Sequence, residues 1–254
     1  MVIPTNPMTT LHLKQSSVSP TLEPSWKTLT DILKWRAANQ PTKTAYIYLL
    51  DGEVRSDSLT YLELFQRAKK LAQVLTQLDM QDERAMLLFP SGLDFIVAFF
   101  GCLLAKTVAV PGYPPKRNRS INRLKTMFED CTAKVVITTS AVAQNMDSFR
   151  DDLEGVSDLP WVTVDDLEVS HGCGDVNFTY DQELPDVFES DLAFLQYTSG
   201  STAAPKGVMV CHSNIMNNEI QIRNCAENNR DTVVVGWLPI FHDLGLIGNV
   251  LNPF

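Results

Sequence analysis

Two periods of apolar residues alternate along this chain, and they predict most of its elements. Leu29, Ile32, Leu33, Trp35 and Arg36 fit one short amphipathic helix, which Pro41 ends. Residues 45–50 alternate and are rich in β-formers; Asp51-Gly52 then predicts a hairpin turn, with residues 53–58 returning as a second strand. Thr60 and Glu63 form a capping box, in which the hydroxyl satisfies a free N–H and the carboxylate reaches back to the cap. Leu64, Phe65, Ala68, Leu71, Ala72, Leu75 and Leu78 follow at helical spacing.

Beyond Leu78 the pattern switches repeatedly between short apolar runs and helical stretches. Strands are predicted at 85–89, 107–110 and 134–138, and helices at 94–105, 119–131 and 141–153. Such alternation indicates βαβ units with mostly parallel sheets flanked by helices, an α/β fold. Residues 155–190 hold many acids and turn formers and read as a surface connection with short strands, one of them at 161–164. Further strands are predicted at 193–197, 208–211 and 232–237, with Ser213 as the cap of a helix over 214–223. Residues 1–24, with four prolines and no apolar period, read as a flexible tail. The expected organisation is therefore a tail at 1–24, a first α/β subdomain at 25–190 and the start of a second at 191–254.

Composition narrows the function. The chain has 254 residues, with 21 Lys+Arg against 30 Asp+Glu, a net charge of −9. That balance excludes nucleic acid and anionic membrane as main partners, since both call for a basic face. Its five cysteines form no CxxC pair, and Cys102 and Cys211 sit in apolar runs, so no metal site is read and a reducing, cytoplasmic setting is expected. The longest apolar stretch, 95–104, is too short to span a bilayer, so no stable membrane anchor is expected.

The candidate chemistry lies in Gln196-Tyr197-Thr198-Ser199-Gly200-Ser201-Thr202-Ala203-Ala204-Pro205-Lys206-Gly207. Four hydroxyl residues and two glycines lie between two strands, with one lysine near the end. Such a loop can aim backbone N–H groups and hydroxyls at one point, and the lysine adds a mobile positive charge suited to polyphosphate. The spacing is not that of a Walker A loop, and the loop leads into a strand, so no helix dipole assists it. On composition alone, an ordinary surface loop joining two strands explains the segment equally well. A second block, Trp237-Leu238-Pro239-Ile240-Phe241-His242-Asp243-Leu244-Gly245-Leu246-Ile247-Gly248, could be a buried apolar segment with a helix-starting Asp. Its His-Asp pair does not suggest a hydrolase, because no Gly-x-Ser-x-Gly elbow occurs.

The order of residues decides further. The segment from Tyr197 to Gly207 resembles the phosphate-binding signature of the adenylate-forming superfamily, with Ala203 where many members carry Gly. Gln196, the His-Asp block, and Val110-Pro111-Gly112-Tyr113-Pro114-Pro115 with Arg123, Leu124 and Asp130 resemble its fatty acyl-AMP ligase branch. The resemblance implies ATP and Mg²⁺ as cofactors, with the phosphates held by Thr198, Ser199, Gly200, Ser201, Thr202 and Lys206. It implies that His242 borders the reacting carboxylate and α-phosphate, in a substrate pocket with Trp237, Asp243, Gly245 and Gly248. The reaction implied is activation of a fatty acid to acyl-adenylate and pyrophosphate. The acyl group would then pass to the phosphopantetheine of an acyl carrier protein or of a polyketide or nonribosomal synthase carrier domain. The basic stretch at 116–125 reads as a solvated helix face or as a docking site for an acidic carrier.

Segments that resemble the superfamily's adenine, ribose and catalytic-lysine motifs do not occur. The resemblance thus implies an N-terminal portion only, expected to be inactive in isolation. The alternatives left open are part of a fatty acyl-CoA ligase and a non-catalytic folded binding module.

Overall fold

Most of the apolar periods settle into elements of the matching kind in the computed structural model. It describes residues 26–114, 121–146, 156, 158–169, 172–173, 176–177, 183–198, 205–229 and 231–254. The tail expected at 1–24 lies outside them.

Helix α1 (Leu29–Asn39) starts from a Thr28–Asp31 capping box. Strands β1 (Thr44–Leu49) and β2 (Ser56–Thr60) form an antiparallel hairpin. The return strand starts later than the expected 53–58 because the Asp51 carboxylate accepts from the N–H groups of Glu53, Val54 and Arg55. Those three amides are thereby taken out of the ladder, and a two-residue turn becomes a longer loop. Helix α2 (Tyr61–Gln77) opens with the predicted box, Thr60 and Glu63 exchanging hydrogen bonds of 2.8 and 3.2 Å.

Strand β3 (Arg84–Leu88), helix α3 (Leu93–Leu104) and strand β4 (Val108–Gly112) make the first βαβ unit, with β3 and β4 parallel. Phe95, Phe99 and Phe100 of α3 are completely buried, each worth about 1.5–3 kcal/mol of transfer free energy. Helix α4 (Ile121–Cys131), strand β5 (Val135–Thr138), helix α5 (Ser140–Met146), strand β6 (Trp161–Thr163) and helix α6 (Asp166–Val169) continue the alternation. The short strands β7 (Gly172–Cys173) and β8 (Val176–Asn177) pair with each other.

Strands β9 (Leu192–Thr198) and β10 (Lys206–Cys211) complete a six-stranded sheet of order β10-β9-β4-β3-β5-β6. Every neighbouring pair is parallel except the β9–β10 hairpin. Elements on both sides of residue 190 therefore share one sheet. Strand alternation divides the core between its faces. Ala85 and Leu87 join α2 and α3 on one side; Met86 and Leu88 join Leu124, Met127 and Phe128 of α4 on the other.

Helix α7 (His212–Ala226) begins before the predicted 214–223, and Ser213 lies inside it. The terminal bond comes from Asn214, whose side chain accepts the Cys211 N–H at 2.9 Å. His212 is buried, and among the described residues its Nδ1 has no hydrogen-bond partner. Burial pushes its imidazole down to about 4, opposed by the charges of Asp191 and Asp31. The strand expected at 232–237 does not form: alternation is present, but no described strand lies beside it to pair with. Residues Leu244–Leu251 form a π-helix, a rare winding found more often at functional sites. No helix among the described residues is long and apolar enough to cross a membrane.

Candidate functional site

The β9–β10 hairpin carries the hydroxyl-rich loop. Its register pairs Thr198 with Lys206 and Tyr197 with Gly207, which fixes where the loop leaves and re-enters the sheet. Ser199, Gly200, Ser201 and Thr202 lie outside the described residues; Thr198 and Lys206 frame the loop's mouth, and both are exposed. Among the described residues Lys206 forms no ion pair with a carboxylate. The chain leaves the loop as a strand, in agreement with the sequence reading.

Tyr197 anchors the base of this loop. Its ring is buried and lies directly over Gly207, where a Cβ would stand 3.0 Å from Cζ and 3.2 Å from Oη. Its hydroxyl donates to the Asp130 carboxylate on α4. Burial is the main cause raising this phenol well above its ordinary value, with Asp130 adding to it. The hydroxyl therefore stays protonated and donating. Gly207 suits this approach: a side chain here would crowd the ring that crosses the opposite strand.

The His-Asp block approaches the same edge of the sheet. Gln196 Nε2 donates to the Phe241 carbonyl at 3.3 Å. The Phe241 ring lies 5.0 Å from Tyr113, just past the end of β4, and 5.1 Å from His242. Strands β4 and β9 run parallel, so Tyr113 and the loop mouth both sit at their carboxyl ends. That edge is where open α/β sheets bind ligands. Three sequence blocks far apart along the chain are thus brought together: Tyr113, the strand entering the loop, and Phe241-His242. His242 itself is exposed.

The remaining candidates divide. Asp243 accepts the Leu244 N–H at 2.8 Å, which makes it the cap of the π-helix. Trp237 is 89% exposed, with its ring in solvent. The room expected beside Gly245 is taken, because a Cβ there would collide with the Pro239 carbonyl; this glycine serves backbone packing. Gly248 does leave space, the nearest heavy atom to a Cβ being 3.8 Å away. Of the basic stretch, Arg123 and Lys125 fall on α4, half-buried, while Lys116, Arg117 and Arg119 lie outside the described residues. Among the described residues no group of three or more His, Cys, Asp or Glu could hold a metal ion.

Sequence reasoning missed the links themselves. The Tyr197–Asp130 bond spans 67 residues and the Gln196–Phe241 bond 45. No local spacing signals either: the first depends on α4 packing against the face of the sheet that holds Tyr197, the second on the chain returning to β9.

The sequence pattern of the AMP-binding enzyme family matches residues 33–254. A medium-chain-fatty-acid–[acyl-carrier-protein] ligase of Moorena producens is 35% identical over 235 residues, covering 91% of this chain and 38% of that protein. A long-chain-fatty-acid–AMP ligase of Mycobacterium marinum is 33% identical over 235 residues, 89% of this chain and 39% of its own length. Among solved structures, a Legionella pneumophila fatty acyl-adenylate ligase in complex with acyl adenylate and pyrophosphate superposes with a TM-score of 0.77 at 31% identity, covering 90% of this chain and 38% of that one. The chain thus spans about two fifths of the length of the relatives it matches.

Proposed function

The chain belongs to the AMP-binding enzyme family, and from that premise we propose that it supplies the phosphate-loop portion of a fatty acyl-AMP ligase. The observation that carries the reading is the meeting of Tyr113, the loop-bearing strand and Phe241-His242 at one sheet edge. The relatives' names give the substrate class, fatty acids, and for one of them the acceptor, an acyl carrier protein.

ATP supplies the activated phosphorus. Thr198, Ser199, Gly200, Ser201, Thr202 and Lys206 would hold its β- and γ-phosphates. Thr198 and Lys206, exposed and paired in register across the loop mouth, would offer a hydroxyl and an ammonium to an anionic polyphosphate. Mg²⁺, which prefers phosphate oxygens and water, would arrive with the nucleotide. A fatty carboxylate oxygen attacks the α-phosphorus, the bond to the bridging oxygen breaks, and pyrophosphate leaves. The protein's part is positioning and charge neutralisation. His242 would border the carboxylate, Trp237 and Gly248 would line the acyl side, and Asp243 would hold the π-helix in place.

The test is Lys206→Ala and Thr202→Ala in a complete ligase carrying this chain. Each removes a hydrogen bond to a charged group, worth about 1.5–3 kcal/mol, so ATP affinity should fall by ~10- to 150-fold. Unchanged affinity and unchanged fatty-acid-dependent pyrophosphate exchange would sink the reading. Offering the same ligase free coenzyme A and a carrier-bound pantetheine separates a carrier-dependent enzyme from an acyl-CoA ligase.

A further inference from the structure

Gln196 is an exception in the strand that carries it. Strand β9 lies between β4 and β10, and Ala193, Phe194, Leu195 and Tyr197 on either side of Gln196 are buried and apolar or aromatic. Leu195 and Tyr197 join the core on the α4 side of the sheet, and alternation puts Gln196 on the opposite side with Phe194. Phe194 packs there against Phe99, with ring centroids 5.6 Å apart. Gln196 stands in the same layer at 7% exposure.

A buried side-chain amide is expected to use both of its ends. Gln196 uses one. Its Nε2 donates to the Phe241 carbonyl at 3.3 Å, and among the described residues its Oε1 has no hydrogen-bond partner. The partner fixes this orientation, since only the nitrogen end can face a carbonyl. An orphaned buried acceptor costs at least as much as the bond at the other end contributes. Gln196 therefore brings the fold little net stability, and an apolar side chain of the same length would pack without the orphan. A side chain that breaks a local rule with no gain to the fold is expected at a functional site.

What Gln196 holds is the turn that carries His242. Within that turn the His242 N–H donates to the Pro239 carbonyl at 3.1 Å, and the His242 carbonyl accepts from the Leu246 N–H at 2.7 Å. Both bonds close the block on itself and neither ties it to the sheet. Among the described residues no turn or loop N–H reaches the Phe241 carbonyl, and Gln196 takes it. The Phe241 ring in turn contacts both Tyr113 and His242, at 5.0 and 5.1 Å. His242 is exposed, so its place is set by the backbone it hangs from and the ring beside it.

We propose that Gln196 is a positioning residue for His242. By fixing the Phe241 carbonyl to β9, it sets the imidazole relative to Thr198, which stands at the loop mouth two residues further along the same strand. Its role rests on the proposed placement of His242 beside the reacting carboxylate and α-phosphate. Atoms that react must be held about 3–3.5 Å apart, and a misplacement of about 1 Å costs on the order of 100-fold.

The test uses a complete ligase carrying this chain. Gln196→Met keeps the length of the side chain and removes both polar ends; Gln196→Leu does the same with a shorter one. For each, the maximal rate of fatty-acid-dependent pyrophosphate exchange should fall by about 10- to 100-fold. The KM for ATP should stay within about twofold, because the phosphates are held elsewhere. The urea midpoint should equal or exceed that of the parent, and the NMR signals of the His242 imidazole should shift. In a His242→Ala background, Gln196→Met should lower the rate no further. The proposal is overturned if the exchange rate of both variants stays within about twofold of the parent. It is equally overturned if the urea midpoint falls along with the rate, as a merely structural glutamine requires, or if the losses from Gln196→Met and His242→Ala multiply. Should His242→Ala by itself leave exchange unchanged, the role given to His242 in adenylation fails, and the imidazole signals then decide alone: a shift on Gln196→Met upholds the positioning, and unmoved signals refute it.

Discussion

Gly207 offers a sharp test of how the loop is anchored. A Cβ at this position would stand 3.0 Å from Tyr197 Cζ and 3.2 Å from both Cε2 and Oη. Ordinary carbon contacts are about 3.5–4.0 Å, so the ring must give by roughly half an ångström. It cannot give freely, because its hydroxyl is bonded to Asp130 and its body is buried. Gly207→Ala should therefore cost about 1–3 kcal/mol of overpacking. If the ring instead swings away, a hydrogen bond to a carboxylate is lost, worth about 1.5–3 kcal/mol and nearer the lower figure because Asp130 is exposed. Urea denaturation followed by circular dichroism measures the loss, and ~2 kcal/mol at a slope of about 2 kcal/mol/M moves the midpoint by ~1 M. The decisive measurement is the cycle with Asp130→Asn, which weakens the tether and frees the ring. Gly207→Ala should then cost at least ~1 kcal/mol less than in the parent, whereas additivity within ~0.5 kcal/mol would refute the linkage.

Other outcomes follow from the same structure. His212 is buried neutral, and burial holds its imidazole at about 4 against an ordinary 6.5. A depressed value means that its contribution is complete above pH 6.5 and is lost as pH falls toward 4, by at most about 3 kcal/mol. His212→Leu should flatten the stability profile over that window, and an unchanged slope would count against the assignment. Glu219 runs oppositely, its carboxyl being raised by burial to about 7 from 4.5, with the Asn252 hydrogen bond opposing. Its contribution is therefore complete below pH 4.5 and lost as pH rises through 7. Glu219→Gln should raise the unfolding free energy measured in urea at pH 8 by about 1 kcal/mol after solvent screening, and leave it unchanged at pH 4. Gly245→Ala forces a methyl against the Pro239 carbonyl, where only backbone can move. A loss of about 3 kcal/mol is expected, and a loss below ~0.5 kcal/mol would show that the turn before the π-helix is not tightly packed.

Where one local rule decided an element, the sequence was enough. The Thr60–Glu63 box, the apolar face of α2 and the strand–helix alternation from Arg84 to Thr138 each rest on neighbours within a turn or two, and each formed as read. Where two local rules competed, pattern reading chose the weaker. Asp51-Gly52 suggested a tight hairpin, but an Asp side chain that captures three successive amides outbids the two-residue turn. Ser213 suggested a cap, but Asn214 is one residue further on and its longer side chain reaches back to the Cys211 amide.

The candidate site divides along a different line. Its residue types were legible because their order resembles a known signature, and the comparisons bear out the family. Its contacts were not legible, because each closes over tens of residues and depends on which strands the sheet sets side by side. The order β10-β9-β4 puts Tyr113 at the same edge as the loop mouth, and no spacing in the chain encodes that adjacency. The segment 232–237 follows from the same logic in reverse. Its alternation is a property of the residues, whereas a ladder is a property of a pair, and the described chain supplies only one member. A strand therefore forms only where the sheet sets a partner beside it, and among the described residues none lies beside 232–237.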